Sequence, residues 1–155
     1  MRRVAAIGAL FTIVAVSCSA PPPPQRDKVF GSKLAAAFAQ AYEKHQDVKL
    51  DAVTTFPWER FYAFKPKQSP DQINRALGFH WATDYSDQTD TYCLFVFVLS
   101  QKVTHSLLFP RYQGDCLSIG TGPFDPQRAV FQVFSSGTTT GGQPFLHLTE
   151  APSRT

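Results

Sequence analysis

The chain has 155 residues, with 15 Lys and Arg against 12 Asp and Glu, and 14 of its residues are phenylalanine. Charges this near balance, without a basic stripe, argue against a nucleic acid as a partner. The phenylalanines are enough for one apolar core, so a single folded domain is predicted.

The N-terminus has the pattern of an export signal. Arg2 and Arg3 precede an uninterrupted apolar or small-residue stretch that runs from Val4 to Val16. As a helix, this stretch would span only ~20 Å of a ~30 Å hydrocarbon core, which is too little for a permanent membrane span. Residues 1–17 are therefore predicted to be a removable signal peptide.

The signal ends at a cysteine, Cys18. The run Ala15-Val16-Ser17-Cys18 resembles the lipobox of bacterial lipoproteins. That resemblance implies a diacylglycerol on the Cys18 thiol, cleavage immediately before Cys18 and often acylation of the new amino end. The alternative is ordinary cleavage after Ala20, which leaves a soluble exported protein. Pro21 disfavours it, because proline has no N–H and a fixed φ.

The residues after the cysteine form a predicted tether, 18–27. Pro21 to Pro24 favour an extended polyproline II rod of ~3.1 Å per residue. With a membrane lipid anchor at Cys18, we expect the domain to stay at the cell envelope. It would lie on the periplasmic side of the outer or inner membrane, or on the extracellular face of the cytoplasmic membrane.

Two helices and a strand are predicted before residue 80. Apolar spacings of three and four indicate a helix over Ser32 to Gln46, whose inner face carries Phe30, Leu34, Phe38, Ala41, Tyr42 and His45. The aromatic run Trp58 to Phe64 is predicted to be a strand. The second helix begins at the N-cap Ser69, with Pro70 and a capping-box Gln72, and ends at Gly78.

The rest of the chain has a β pattern. Tyr92 to Leu99 is apolar on both faces, as in a strand covered on both sides, and Val103 to Phe109 returns as its hairpin partner. Further predicted features are strands at Asp115 to Ile119, Ala129 to Phe134 and Phe145 to Leu148, a helical turn opened by Asp125-Pro126, and a loop from Ser135 to Gln143.

These elements predict an α+β fold over residues 28–150. It consists of an antiparallel β-sheet of about four to six strands with one long and one short helix packed on one face. Residues 151–155 are predicted to be a C-terminal tail.

Cys93 and Cys116 remain once Cys18 is assigned to lipid. In an oxidising compartment such a pair is usually a disulfide, and closing a loop of about 24 residues would contribute ~3 kcal/mol. A metal-binding or catalytic pair normally lies closer together and has histidine partners. A Cys93–Cys116 disulfide is therefore predicted. No metal and no cofactor is expected.

Part of the sequence resembles a group of uncharacterised bacterial envelope lipoproteins. The likeness covers about two thirds of the mature chain and rests on Trp58-Glu59-Arg60-Phe61-Tyr62, Phe64, Pro66, Ser69-Pro70, Ile73, Leu77-Gly78, Pro123-Phe124-Asp125-Pro126 and Ala129-Val130-Phe131. These are mainly structural residues. The resemblance implies an envelope location and a compact α+β domain, and it implies no activity.

Catalytic motifs are absent: the chain has no G-x-S-x-G, P-loop, H-E-x-x-H or C-x-x-C. The four histidines, His45, His80, His105 and His147, are scattered, although His105 and His147 can meet across neighbouring strands. Asp84, Asp87 and Asp90 repeat every third residue, whereas an EF-hand needs oxygens at every second position, so a solvated loop is favoured. His80-Trp81 is interpreted as a strand edge or the lining of a pocket.

Three functions remain open. The favoured one is a noncatalytic binding or accessory lipoprotein that contacts an envelope partner through exposed aromatic and loop surface. The second is a small-ligand carrier with a phenylalanine-lined cavity between helix and sheet. The third is a small periplasmic hydrolase, which needs Asp115 or His105 to converge with a neighbouring serine in a cleft. No catalytic residue is assigned, and the absence of motifs leans against an enzyme.

The lipid anchor predicts a labelling result. Metabolic labelling with palmitate should mark the wild-type chain and leave Cys18→Ser unmarked, because the variant has no thiol to form the thioether. Gel fluorography of the isolated chains gives the measurement. Equal labelling of both chains would remove the anchor.

Overall fold

The computed structural model describes residues 28–81 and 90–152. The predicted signal peptide, Cys18 with its tether, Asp84, Asp87 and the last three residues of the predicted tail lie outside the described residues. Within the described ranges, no helix has the length and apolar character needed to cross a membrane.

The architecture confirms the predicted α+β class. The described ranges contain α1 (Lys28–Lys44), β1 (Val48–Lys49), α2 (Leu50–Val53), β2 (Arg60–Phe64), α3 (Pro70–Leu77), β3 (Tyr92–Leu99), β4 (Lys102–Pro110), a 3-10 turn (Arg111–Gln113), β5 (Val130–Thr138) and β6 (Pro144–Glu150). The strands are divided between two antiparallel sheets of three, a first sheet β2-β3-β4 and a second sheet β1-β5-β6.

The long helix α1 buries the face that its apolar spacing predicts. Phe30, Leu34, Phe38 and Ala41 are buried, and the helix begins four residues before the predicted start. It ends where His45 takes a left-handed φ of 51°. The N–H of Gln46 then bonds to the carbonyl of Ala41 at 3.0 Å. Exposed and next to the last turn, His45 is a helix-terminal residue.

The short helix α3 has the predicted ends. The Ser69 hydroxyl accepts from the backbone N–H of Gln72 at 3.3 Å, and the Gln72 side chain accepts from the N–H of Ser69 at 2.8 Å. These two bonds form the capping box. At the other end Gly78 adopts φ 78°, a left-handed conformation that glycine takes without steric cost.

The first sheet is buried on both faces, as the doubly apolar pattern of β3 predicts. One face, which includes Phe95 and Phe97, packs against α1 and the inner face of the second sheet. The opposite face, which includes Leu94 and Val96, packs against Ile73 and its neighbours on α3. The two helices therefore cover different layers of the fold.

Two predictions about the second sheet are wrong. The segment Asp115 to Ile119 is not a strand, because Asp115 makes a single parallel bridge to His147 and the chain then turns. The segment from Ser135 to Gln143 is not all loop, because β5 continues to Thr138 and pairs with β6. Pairing across the hairpin overrides the Gly, Ser and Thr content that favours a loop.

The predicted disulfide joins Cys93 to Cys116. Cys93 lies on β3, whereas Cys116 lies in the segment that leads to the second sheet, and both residues are fully buried. The bond therefore ties the first sheet to the segment that carries Asp115.

Loss of this bond has a measurable cost. In the Cys93→Ser/Cys116→Ser chain, the free energy of unfolding should fall by about 3 kcal/mol, because the unfolded state regains the entropy of an open loop. Urea denaturation measures the change. In the wild type, thiol labelling under denaturing, non-reducing conditions, followed by peptide mapping, should leave Cys93 and Cys116 unlabelled. Labelling of both would contradict the disulfide.

Candidate functional site

Asp115 is brought to the second sheet by a close backbone approach. A Cβ on the preceding residue, Gly114, would lie 2.8 Å from the ring of Phe38 and 2.9 Å from that of Phe109, so only glycine fits there. The N–H of Asp115 donates to the carbonyl of Leu146 at 2.8 Å. The carbonyl of Asp115 accepts from Leu148 at 3.0 Å. This bridge sets the Asp115 side chain beside His147.

The Asp115 carboxylate is 3% exposed and is held by an arginine. Arg111 donates through Nε to Oδ1 at 2.8 Å and through Nη2 to Oδ2 at 3.0 Å, and the N–H of Leu117 donates to Oδ1 at 3.3 Å. The hydrogen bond with Asp115 raises the pKa of Arg111 above its usual value and outweighs the opposing effect of burial. The guanidinium therefore stays charged.

His147 lies between the carboxylate and a serine. Its Nδ1 is 3.5 Å from Oδ2 of Asp115, and its Nε2 is 2.6 Å from Oγ of Ser136. Of the two tautomers of a neutral imidazole, the one with its proton on Nδ1 faces the carboxylate and lets Nε2 accept from the serine hydroxyl. We call Arg111, Asp115, His147 and Ser136 the His147 network.

Ser136 reaches the histidine because β5 is irregular at this point. The register with β6 passes from Ser135 opposite Leu146 to Thr138 opposite Pro144, so two residues on β5 face one on β6. Such a bulge changes the direction of a side chain and is common beside functional sites. Here it accompanies the contact between the exposed Ser136 and the ring of His147.

Two phenylalanines flank the histidine ring. Phe134, the register partner of His147, stacks on it with a centroid separation of 5.1 Å, and Phe145 lies at 5.0 Å. Phe134 is 41% exposed. We call Phe134, Ser136, Phe145 and His147 the His147 face, which is the side of the second sheet turned away from the core.

The other predicted candidates have packing or surface positions. His105 stacks on Phe56 at 4.4 Å in the first sheet, so it does not meet His147. Trp81 is buried with Leu94 and Ile73 on the α3 side of the first sheet, next to the exposed His80. Asp90, the one described member of the aspartate run, forms a surface ion pair with Lys67 at 2.8 Å.

One group of potential metal ligands occurs among the described residues. The sulfurs of Cys93 and Cys116 and the carboxylate of Asp115 lie within 4.8 Å of one another. The disulfide consumes both thiolates, and Arg111 holds the carboxylate. In this state the group does not suit a cation.

Two clefts of about 720 and 710 Å³ open elsewhere on the surface. The first is lined by Lys33, Gln40, Glu43, Val53 and four alanines, and the second mainly by polar and charged residues, including His45, Lys49, Arg128 and Glu150. Neither is lined by phenylalanine and neither includes the His147 network. These clefts do not provide the cavity that the carrier hypothesis requires.

Sequence reasoning missed Arg111 and Ser136. The spacing of four between Arg111 and Asp115 is a visible hint, but it indicates a side-chain pair only on a helix, and here the chain forms a 3-10 turn. Ser136 follows Phe134 in an alternating pattern that continues β5, but the surrounding Gly, Ser and Thr residues favour a loop.

Comparison with known proteins adds no relative. No family model matches the chain, and no curated protein or solved structure matches it either. The resemblance to uncharacterised envelope lipoproteins therefore stays a prediction.

The buried ion pair should carry a large share of local stability. Arg111→Met leaves the buried Asp115 carboxylate without its charged partner, so the free energy of unfolding should fall by about 3–5 kcal/mol. Chemical denaturation measures the loss. The control is Lys67→Met, which breaks an ion pair whose side chains are 54% and 64% exposed. It should cost no more than about 1 kcal/mol. Equal losses in both variants would show that the Arg111 pair has no special role.

Proposed function

We propose that the chain is a membrane-anchored envelope lipoprotein that acts as a binding or accessory protein. A lipid on Cys18 would hold it at the membrane, and the His147 face would contact an envelope partner, most simply another protein. The support for the anchor is the sequence around Cys18: the arginine pair, the apolar stretch and the lipobox-like run.

The observation that carries the binding role is an exposed aromatic group on an ordered strand pair. Phe134 is 41% exposed although it stacks on His147. Aromatic residues, phenylalanine among them, are enriched at protein–protein interfaces relative to the rest of the surface. The His147 face combines aromatic and polar groups, because the imidazole lies 5.1 and 5.0 Å from the rings of Phe134 and Phe145 and also contacts the Ser136 hydroxyl.

The way the face is held also supports binding. The ring of His147 is fixed by Ser136 on one side and by the carboxylate of Asp115 on the other, and Arg111 fixes that carboxylate in turn. A surface whose side chains are already ordered loses less conformational entropy when a partner binds. The His147 network is therefore suited to present Phe134 in one orientation.

Crosslinking of the full chain in its own membrane tests the proposal. Phe134→Ser should reduce capture of the wild-type partner at least about tenfold, which corresponds to ~1.4 kcal/mol. Val29→Ser is the matched control, because Val29 is an apolar residue on α1 that is 84% exposed. It should leave capture unchanged. Quantitative mass spectrometry of the crosslinked material measures both.

Two outcomes would overturn the binding role. The first is equal capture by wild type and Phe134→Ser, and the second is the absence of any partner specific to the wild type. Fractionation of Cys18→Ser tests the anchor separately. A Cys18→Ser chain that becomes soluble and still crosslinks through Phe134 supports both the anchor and the binding role. A Cys18→Ser chain that stays in the membrane would contradict the lipid anchor.

A further inference from the structure

The His147 network has the order of groups found in nucleophilic acyl transfer. A serine hydroxyl lies 2.6 Å from one nitrogen of an imidazole, and a buried carboxylate lies 3.5 Å from the other. Such sites are recognised by geometry and roles, and apo distances are often longer than those of the reacting complex. We propose that Ser136 and His147 form a site that hydrolyses carboxylic esters, with Asp115 as a positioning residue.

The roles follow from the contacts. Ser136 is exposed, so its hydroxyl is accessible to a substrate. Asp115 has both oxygens bound by Arg111, which compensates much of its charge. Its contribution is therefore orientation: it keeps the proton of the neutral imidazole on Nδ1 and leaves the lone pair on Nε2 for the serine.

The reaction balances without another reagent except water. Oγ of Ser136 attacks the ester carbonyl while its proton moves to Nε2 of His147. The carbon–oxygen bond to the alcohol then breaks, and the alcohol leaves with that proton. Water attacks the resulting acyl-serine, its proton passes through Nε2 to Oγ, and a carboxylic acid is released.

The backbone offers a donor for the developing oxyanion. In acyl-transfer sites this donor is often the N–H of the residue that follows the nucleophile. Here that residue is Gly137, whose N–H donates to Oγ of Ser135 at a long distance of 3.4 Å and would exchange this bond for one to the oxyanion. A Cβ built on Gly137 meets nothing within 4 Å, so there is space for a carbonyl group beside it.

The described surroundings favour esters with small, uncharged acyl groups as substrates. The guanidinium of Arg111 is occupied by Asp115 and by the carbonyl of Asp90, so it is not available for an anionic acyl chain. The rings of Phe134 and Phe145 give a short apolar surface next to His147. Neither the cleft at Lys33 nor the cleft at His45 is lined by a residue of the network, so neither offers a longer acyl chain a place beside Ser136.

Hydrolysis of p-nitrophenyl acetate and labelling by a fluorophosphonate test the site on the purified full chain in detergent. In Ser136→Ala, hydrolysis should fall to the buffer rate and labelling should disappear. His147→Gln should lower kcat/KM by about 10²–10⁴-fold through loss of the general base. The control is Ser118→Ala, which removes an exposed hydroxyl three residues after Asp115 and should keep both activities.

A second readout separates catalysis from folding. Ser136 is exposed, so Ser136→Ala should retain the Tm of the wild type. Asp115→Asn should lower kcat more than it raises KM, because a carboxamide holds the wrong imidazole tautomer. Three results would overturn the proposal: Ser136→Ala hydrolyses the ester at the wild-type rate, the fluorophosphonate label maps to a residue other than Ser136, or the wild type neither hydrolyses the ester nor takes the label. None of these outcomes bears on partner binding, which is measured through Phe134.

Discussion

An ionised carboxylate can be kept from water only where cations and N–H groups face it, and Asp115 is such a carboxylate. Its compensation comes from two directions. Arg111 follows β4 of the first sheet, and His147 belongs to β6 of the second. Because one partner of the buried Asp115 carboxylate follows the first sheet and the other lies in the second, its compensation holds the ends of the two sheets together.

The same requirement connects stability with the proposed activities. The His147 ring is held at both nitrogens and contacts two phenylalanines, so it has little freedom to turn. A fixed ring lowers the entropy that is lost when a partner binds at Phe134. It also holds Nε2 in place for a proton transfer from Ser136. One network can thus support binding and chemistry, although the two are separable through Phe134 and Ser136.

Sequence patterns predict the elements that depend on local chemistry. The capping box of α3 and the doubly apolar β3 have the predicted bounds or nearly so, because cap residues and burial periodicity act within a few positions. The site depends on contacts between distant residues. The sequence offers Asp115 only as a candidate of the hydrolase hypothesis and His147 only as a possible neighbour of His105. Nothing local indicates that Gly114 admits a close approach or that a bulge turns Ser136 toward the ring of His147. The division of six strands into two sheets is likewise a property of long-range pairing.

The disulfide has a mechanical consequence when the domain is pulled from its two ends. Its two half-cystines are 23 residues apart in the sequence, so tension applied between α1 and β6 would pass through the sulfur–sulfur bond. It would bypass β3 beyond Cys93, all of β4 and the 3-10 turn. Stretching would then release about 80 Å less chain than in the reduced protein. The segment with Arg111, inside the loop closed by Cys93 and Cys116, would carry no tension, and the force would act only on the chain outside that loop.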